Sequence, residues 1–165
     1  GIAGVFIKKR WEINDLLSTT DDLIVLLNNI SDPGNLGTII RNCDWFGIKT
    51  IILNKNSVEY TNPKVLRSTM GSIFHTDIFE MTDYSVIEML KMNGYQIVCA
   101  DIEGENIFKL KNNKKKIIVF SSEAHGPSKE ILMYADKKIT ILKIGKAESL
   151  NVASASAVIL AELTK

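Results

Sequence analysis

Cysteine is scarce in this chain: Cys43 and Cys99 are far apart and have no metal-ligand spacing. His75 and His125 are the only histidines, so no zinc site is expected. Two lone thiols in apolar surroundings point instead to buried residues in a reducing cytoplasm. Any apolar run near the ~18 residues that a membrane span requires is missing, and no membrane contact is expected. Lys8, Lys9 and Arg10 lead into a broken mixture rather than the apolar stretch of a secretory signal. An excess of one charge is nearly absent too. At a net charge of +1, any affinity for RNA has to come from local patches. Neither a Walker loop nor a G-x-G-x-x-G after a strand occurs, which argues against an ordinary nucleotide-binding α/β enzyme.

What the chain does contain is the material of one globular domain. Its 165 residues are enough to bury a core, and 45% hydrophobic with 24% charged residues excludes the disordered and fibrous classes. The stretches "LIVLLNNI" (23–30), "KTIILN" (49–54), "HTDIFEMT" (75–82), "YQIVCADI" (95–102), "KKIIVFSS" (115–122) and "KKITILKI" (137–144) read as strands. Helical spacing lies between them. Residues 36–46 place Leu36, Ile39, Ile40, Cys43 and Phe46 on one side, behind an Asn35 cap. Residues 62–74 read as a helix opened by Pro63, and 83–94 as an Asp-capped helix with a glycine stop. A further helix begins near Ser128, and a small-residue-rich helix capped by Ser149 closes the chain. This alternation predicts an α/β fold with a mainly parallel sheet flanked by helices.

Ligands of a parallel sheet bind in loops beyond the carboxyl ends of the strands. "SDPGNLG", "SSEAHGPS" and "KIGKAESLN" each follow an apolar strand and combine glycine or proline with small polar groups. After the first, Gly37, Arg41 and Asp44 share a helical stripe apart from the apolar side. Arg41 is then either a solvated arginine paired with Asp44 or a fixed guanidinium aimed at a phosphate or developing oxyanion. Glu123 is either solvated or functional, and His125 has no sequence-near partner to orient it as a base. The Ala/Ser run from Ala153 to Ala157 suits a closely packed helix contact.

Taken together, the three loops resemble the three motifs of the SpoU (TrmH-like) branch of the SPOUT RNA methyltransferases. "NLGTIIRNCDWFG" (35–47) resembles the first, "IVFSSEAHGPS" (118–128) the second, and "ILKIGKAESLNVASASA" (141–157) the third, in order. Ser121, Leu142, Lys143 and Ala153 depart from the residues usual at those places. These departures motivate an alternative reading as a catalytically silent SPOUT-fold protein that binds RNA or assists ribosome assembly.

The resemblance implies a deep trefoil knot in the last third of the chain and a homodimer with the active site at the subunit interface. It implies transfer of a methyl group from S-adenosylmethionine to a ribose 2′-hydroxyl, with ribosomal RNA favoured over transfer RNA. Arg41, Asn35, Glu123, Ser149 and Asn151 carry the catalytic roles by that match. Ser121, Ser122, Glu123, Ala124, Gly126, Ile141, Leu142, Ile144, Gly145, Ser149 and Leu150 are the cofactor candidates. Phosphate contacts fall to Arg41, Lys8, Lys9, Arg10 and Arg67, with Lys64 and the lysines of 109–116 as further candidates that are otherwise ordinary solvated side chains. Residues 1–22 are expected to be a linker or the tail of an amino-terminal RNA-binding domain, and 23–165 the catalytic domain.

Overall fold

Runs of branched residues with no polar break become strands buried on both faces, and the sheet is built from them. The computed structural model of the chain describes residues 4, 5, 7, 8, 11–110, 115–122 and 126–165. In order, its elements are α1 (Ile13–Leu17), β1 (Leu23–Asn28), α2 (Pro33–Trp45), β2 (Thr50–Asn54), α3 (Pro63–Thr69), β3 (Asp77–Met81) and α4 (Ser85–Met92). They continue with β4 (Gln96–Asn106), β5 (Lys116–Ser121), α5 (Lys129–Tyr134), β6 (Lys137–Thr140) and α6 (Val152–Leu163). Short 3-10 turns occupy Ser72–Phe74 and Ile107–Lys109.

The sheet has six strands in the order β3-β2-β1-β5-β4-β6, and every pairing is parallel. From β1 the chain steps outward to β2 and β3, whereas β4 and β6 lie beyond β5 on the other side. Direction therefore reverses between β1 and β5. At such a switch point the loops part and leave a crevice at the carboxyl ends of the strands.

Alternation within the strands feeds two cores. On one face Val25, Leu27, Ile118 and Phe120 meet Leu36, Ile39, Ile40 and Cys43 of α2 and Ile159, Leu160 and Leu163 of α6. On the other, Ile24, Leu26, Ile117 and Val119 meet Leu16 of α1, Val86, Ile87 and Leu90 of α4, and Ile131 of α5. Leu36, Ile39 and Ile40 are fully buried, each contributing about 2 kcal/mol by removal from water. That burial fixes which way α2 faces. Both cysteines are buried, and burial pushes the Cys99 thiol up to about 12.

Several boundaries differ from the sequence reading. Helix α2 starts at Pro33, because proline suits a first turn and Asp32 accepts from the Asn35 N–H at 2.8 Å; Asn35 is inside the helix, not its cap. Helix α3 stops at Thr69, where Met70 and Gly71 turn left-handed before the 3-10 turn. Strand β6 ends at Thr140 rather than 144, since β4, its neighbour, pairs Asn106 with Thr140 and then leaves the sheet. Strand β4 runs on to Asn106 past a bulge between Ala100 and Glu105. There Gly104 passes so close to Ile139 that a Cβ would lie 2.4 Å from its backbone. Helix α1 falls within the expected linker, with Leu16 2% exposed in the core and Trp11 packed on Phe79 at 4.8 Å.

Gly37 is buried where α2 crosses α3, and a Cβ there would sit 2.4 Å from Ser68 Cβ and 2.8 Å from the Val65 carbonyl oxygen. Gly37→Ala gains at most ~1 kcal/mol of helix propensity, whereas overpacking costs about 1–3 kcal/mol. Overpacking against a backbone atom wins. We expect a net loss of about 1–2 kcal/mol in urea unfolding; a variant as stable as the parent would show that α3 yields freely.

Candidate active site at the sheet switch point

Loops leaving the carboxyl ends of β1, β5 and β6 carry the motifs, and β1 and β5 are adjacent with Asn28 opposite Ser121 on the last rung. Asn151 joins two of these loops. Its side chain caps α6, Oδ1 accepting from the Ala153 N–H at 3.0 Å and the Ser154 N–H at 3.2 Å. The same side chain donates through Nδ2 to Asn35 Oδ1 at 3.0 Å. Because Asp32 caps α2, the Asn35 amide is positioned to meet Asn151. Ser149, read as the cap, is exposed and lies before the helix. Its hydroxyl is two residues too early for a helix that begins at Val152.

Asn42, which the sequence reading passed over, secures the same helix pair. Its Nδ2 donates to the Ala153 carbonyl at 3.0 Å and to Ser156 Oγ at 2.9 Å. The small residues of α6 therefore pack against α2 within one chain. A polar residue one position from buried Cys43 was the available signal.

Arg41 is exposed on α2 and makes no ion pair with Asp44. Asp44 turns toward His75, whose Nδ1 lies 3.1 Å from its carboxylate. A hydrogen bond from Ser72, followed by that from His75, holds the Asp44 carboxyl below its usual range. The solvated Arg41–Asp44 pair is therefore not formed. Nor, among the described residues, does Arg41 make a hydrogen bond or ion pair to the second or third motif.

The second loop is anchored at its ends. Ser122 donates its N–H to the Asn28 carbonyl at 3.2 Å, and Gly126 donates its N–H to the Ser122 carbonyl at 2.8 Å. Gly126 has φ 63°, a left-handed conformation that a side chain would strain. Ser121 Oγ is buried without a hydrogen-bond partner among the described residues. Glu123, Ala124 and His125 lie outside the described residues. In the third loop residues 142–150 are all exposed, including Leu142, Ile144, Gly145 and Leu150, with Ile141 partly buried beside the core.

Among the basic candidates, Lys8 is paired with Glu80 at 2.8 Å and sits over the Tyr60 ring. The Glu80 hydrogen bond is the main cause of its raised pKa. Arg67 is exposed on α3, and Lys64 lies 3.8 Å from Asp32. Lys9, Arg10, Lys111 and Lys114 lie outside the described residues. Lys116 is no surface lysine: it is 1% exposed at the start of β5, where burial lowers its pKa. Lys115 and Lys116 stand at the start of β5 while the motif loop leaves its end, so about 20 Å of strand separates those two lysines from that loop. No cluster of metal-ligating side chains occurs among the described residues, and no helix there is long and apolar enough to cross a membrane.

A family model described as the SpoU rRNA Methylase family matches residues 22–161. The chain belongs to that family. It is 30% identical over 141 residues to the 23S rRNA (guanosine(2553)-2′-O)-methyltransferase RlmP of Bacillus subtilis, covering 85% of this chain and 57% of that one. It is 36% identical over 147 residues to the tRNA (guanosine(18)-2′-O)-methyltransferase of Aquifex aeolicus, covering 86% and 68%. The fold matches a structure described as an AdoMet-bound rRNA methyltransferase from Sinorhizobium meliloti with a TM-score of 0.87, 28% identity, and coverage of 94% and 60%. The chain spans between 57% and 66% of the length of three curated relatives.

The two readings of the α6 cap separate in a stability measurement. Asn151→Ala is expected to cost about 1–2 kcal/mol, because it strips the cap from α6. Ser149→Ala should stay within about 0.5 kcal/mol of the parent, as surface substitutions do. Equal losses in thermal unfolding would place a cap contribution at Ser149 after all.

Proposed function

We propose that this chain transfers a methyl group from S-adenosylmethionine to a ribose 2′-hydroxyl of RNA, with ribosomal RNA favoured over transfer RNA. The observation that carries the reading is the 3.0 Å hydrogen bond from Asn151 to Asn35. It draws the first and third motifs together beside the switch point, where the second motif also begins. Relatives named as 2′-O-methyltransferases of ribosomal and transfer RNA support the reaction class, and the family's description favours ribosomal RNA.

The residues present suit the methyl donor. Main-chain groups of Ser122 and Gly126 form a tight turn, and Ser121 Oγ is a buried hydroxyl with no partner among the described residues. Ile141, Leu142, Ile144 and Leu150 offer apolar walls, with Gly145, Ser149, Glu123 and Ala124 completing the candidate set. When bound, S-adenosylmethionine supplies an electrophilic methyl group on a sulfonium. The remaining task is the acceptor, because a ribose hydroxyl is a weak nucleophile while it keeps its proton. Arg41, always charged, binds the adjoining phosphate and stabilises charge growing on the oxygen. It does not act as a free base, because a guanidinium hardly deprotonates; the hydroxyl proton passes to solvent water as the oxygen takes the methyl group. Asn35 and Glu123 orient Arg41 or the ribose, and Asn151 holds the third loop. Arg67, exposed on the neighbouring helix, extends the phosphate surface.

Arg41 and the tip of the third loop both face solvent in a single chain. This supports a homodimer with the site completed at the subunit interface. A trefoil knot in the last third of the chain and a catalytic domain of residues 23–165 belong to the same reading, on family membership and fold likeness.

Arg41→Ala should leave the fold and the calorimetric affinity for S-adenosylmethionine unchanged. It should lower methyl transfer to ribosomal RNA from cells lacking the gene by about 100–1,000-fold. An undiminished rate removes Arg41 from the chemistry. Failure of the parent chain to bind S-adenosylmethionine favours the catalytically silent alternative.

A further inference from the structure

Asn28 ends an otherwise apolar strand and is 0% exposed. It shares the last rung of the β1–β5 ladder with Ser121. A leucine there would extend the apolar face that Ile24 and Leu26 begin, at no cost for burying an amide. Asn28 instead ties several segments together, one through its main chain and two through its side-chain amide. The main-chain carbonyl of Asn28 accepts from the Ser122 N–H at 3.2 Å. Its Oδ1 accepts from the Ser128 N–H at 3.3 Å, and its Nδ2 donates to Tyr84 Oη at 3.4 Å. Tyr84 Oη lies 3.5 Å from Ser128 Oγ, which itself caps α5 by accepting from the Ile131 N–H at 3.4 Å. Tyr84 is in turn stacked on Tyr134 of α5.

One buried residue thus grips both ends of the second motif loop, Ser122 where the chain leaves β5 and Ser128 where it enters α5. A buried amide with its donor and acceptor satisfied is rigid, and its partners hold their spacing with it. We propose that Asn28 is a positioning residue for the methyl donor: it sets the span between Ser122 and Ser128 and so holds the main-chain groups of Ser122 and Gly126 ready for S-adenosylmethionine. It touches no reacting atom. The inference rests on the function proposed above.

The test uses the full chain and S-adenosylmethionine itself, with calorimetric Kd, melting temperature and amide hydrogen exchange as readouts. Asn28→Leu keeps the volume and removes both side-chain bonds. It should weaken the Kd about tenfold and speed exchange at the Ser128 amide. Leu26→Val, on the same face of β1 and equally buried, should lower the melting temperature and leave the Kd unchanged. Tyr84→Phe, which removes only the outer hydroxyl, should weaken the Kd by about threefold. Should Asn28→Leu fail to fold, Tyr84→Phe decides alone. If the parent binds and the folded Asn28→Leu chain matches it within about twofold, or if Leu26→Val weakens binding as much, the positioning role is overturned while the proposed function stands. If the parent itself does not bind, the proposed function falls and takes this inference with it.

Discussion

The parallel ladder between β1 and β5 is the constraint on which the rest of the molecule depends. Leu23 to Asn28 pair residue by residue with Lys116 to Ser121, and both strands are buried on both faces. A one-residue slip would exchange the side chains destined for α2 and α6 with those destined for α4 and α5, so the register is fixed. With it fixed, the chain leaves the two strands side by side at one end and in opposite directions. The candidate site is the space so formed.

Onto that frame the polar contacts add position as well as stability. Asn151 is economical in this respect, one amide both starting α6 and touching α2. Asn42 repeats the tie further along the same helix pair. Cap, link and close packing reinforce one another, and the third motif is thereby referred to the first. Arg41 stands on the outward side of this assembly, while Asp44 is occupied by Ser72 and His75. The guanidinium is left to solvent and the carboxylate is turned away from it.

Much of the fold was legible because strong local signals agreed with tertiary burial. Residues 23–27, 51–53 and 117–120 are apolar without interruption, and the Ile39/Ile40/Cys43 stripe could face nothing but a core. Misreadings came where two residues competed for one role. Asp32 and Asn35 are both good caps, and Pro33 between them decides for the first by fitting a first helical turn. Ser149 and Asn151 compete in the same way, and the register of α6 decides for the second. The end of β6 was illegible because it is set by its neighbour β4, and periodicity does not report a partner's length. Asn28 went unnoticed inside a hydrophobic run, although an amide at the buried end of such a run was itself the signal. Motif matching named Arg41, but no local pattern shows what a helix's outward face will meet.

Residues 142–150 form one exposed bridge between β6 and α6, with Lys143 and Lys146 open to a protease such as trypsin. A cut there would not release α6. Its Ile159, Leu160 and Leu163 would remain packed on the sheet, and Asn42 would still hold Ala153 and Ser156. The nicked molecule would keep its shape while losing the covalent path through its third motif. Cohesion and continuity are thus separable in this chain, and only the second passes through the bridge.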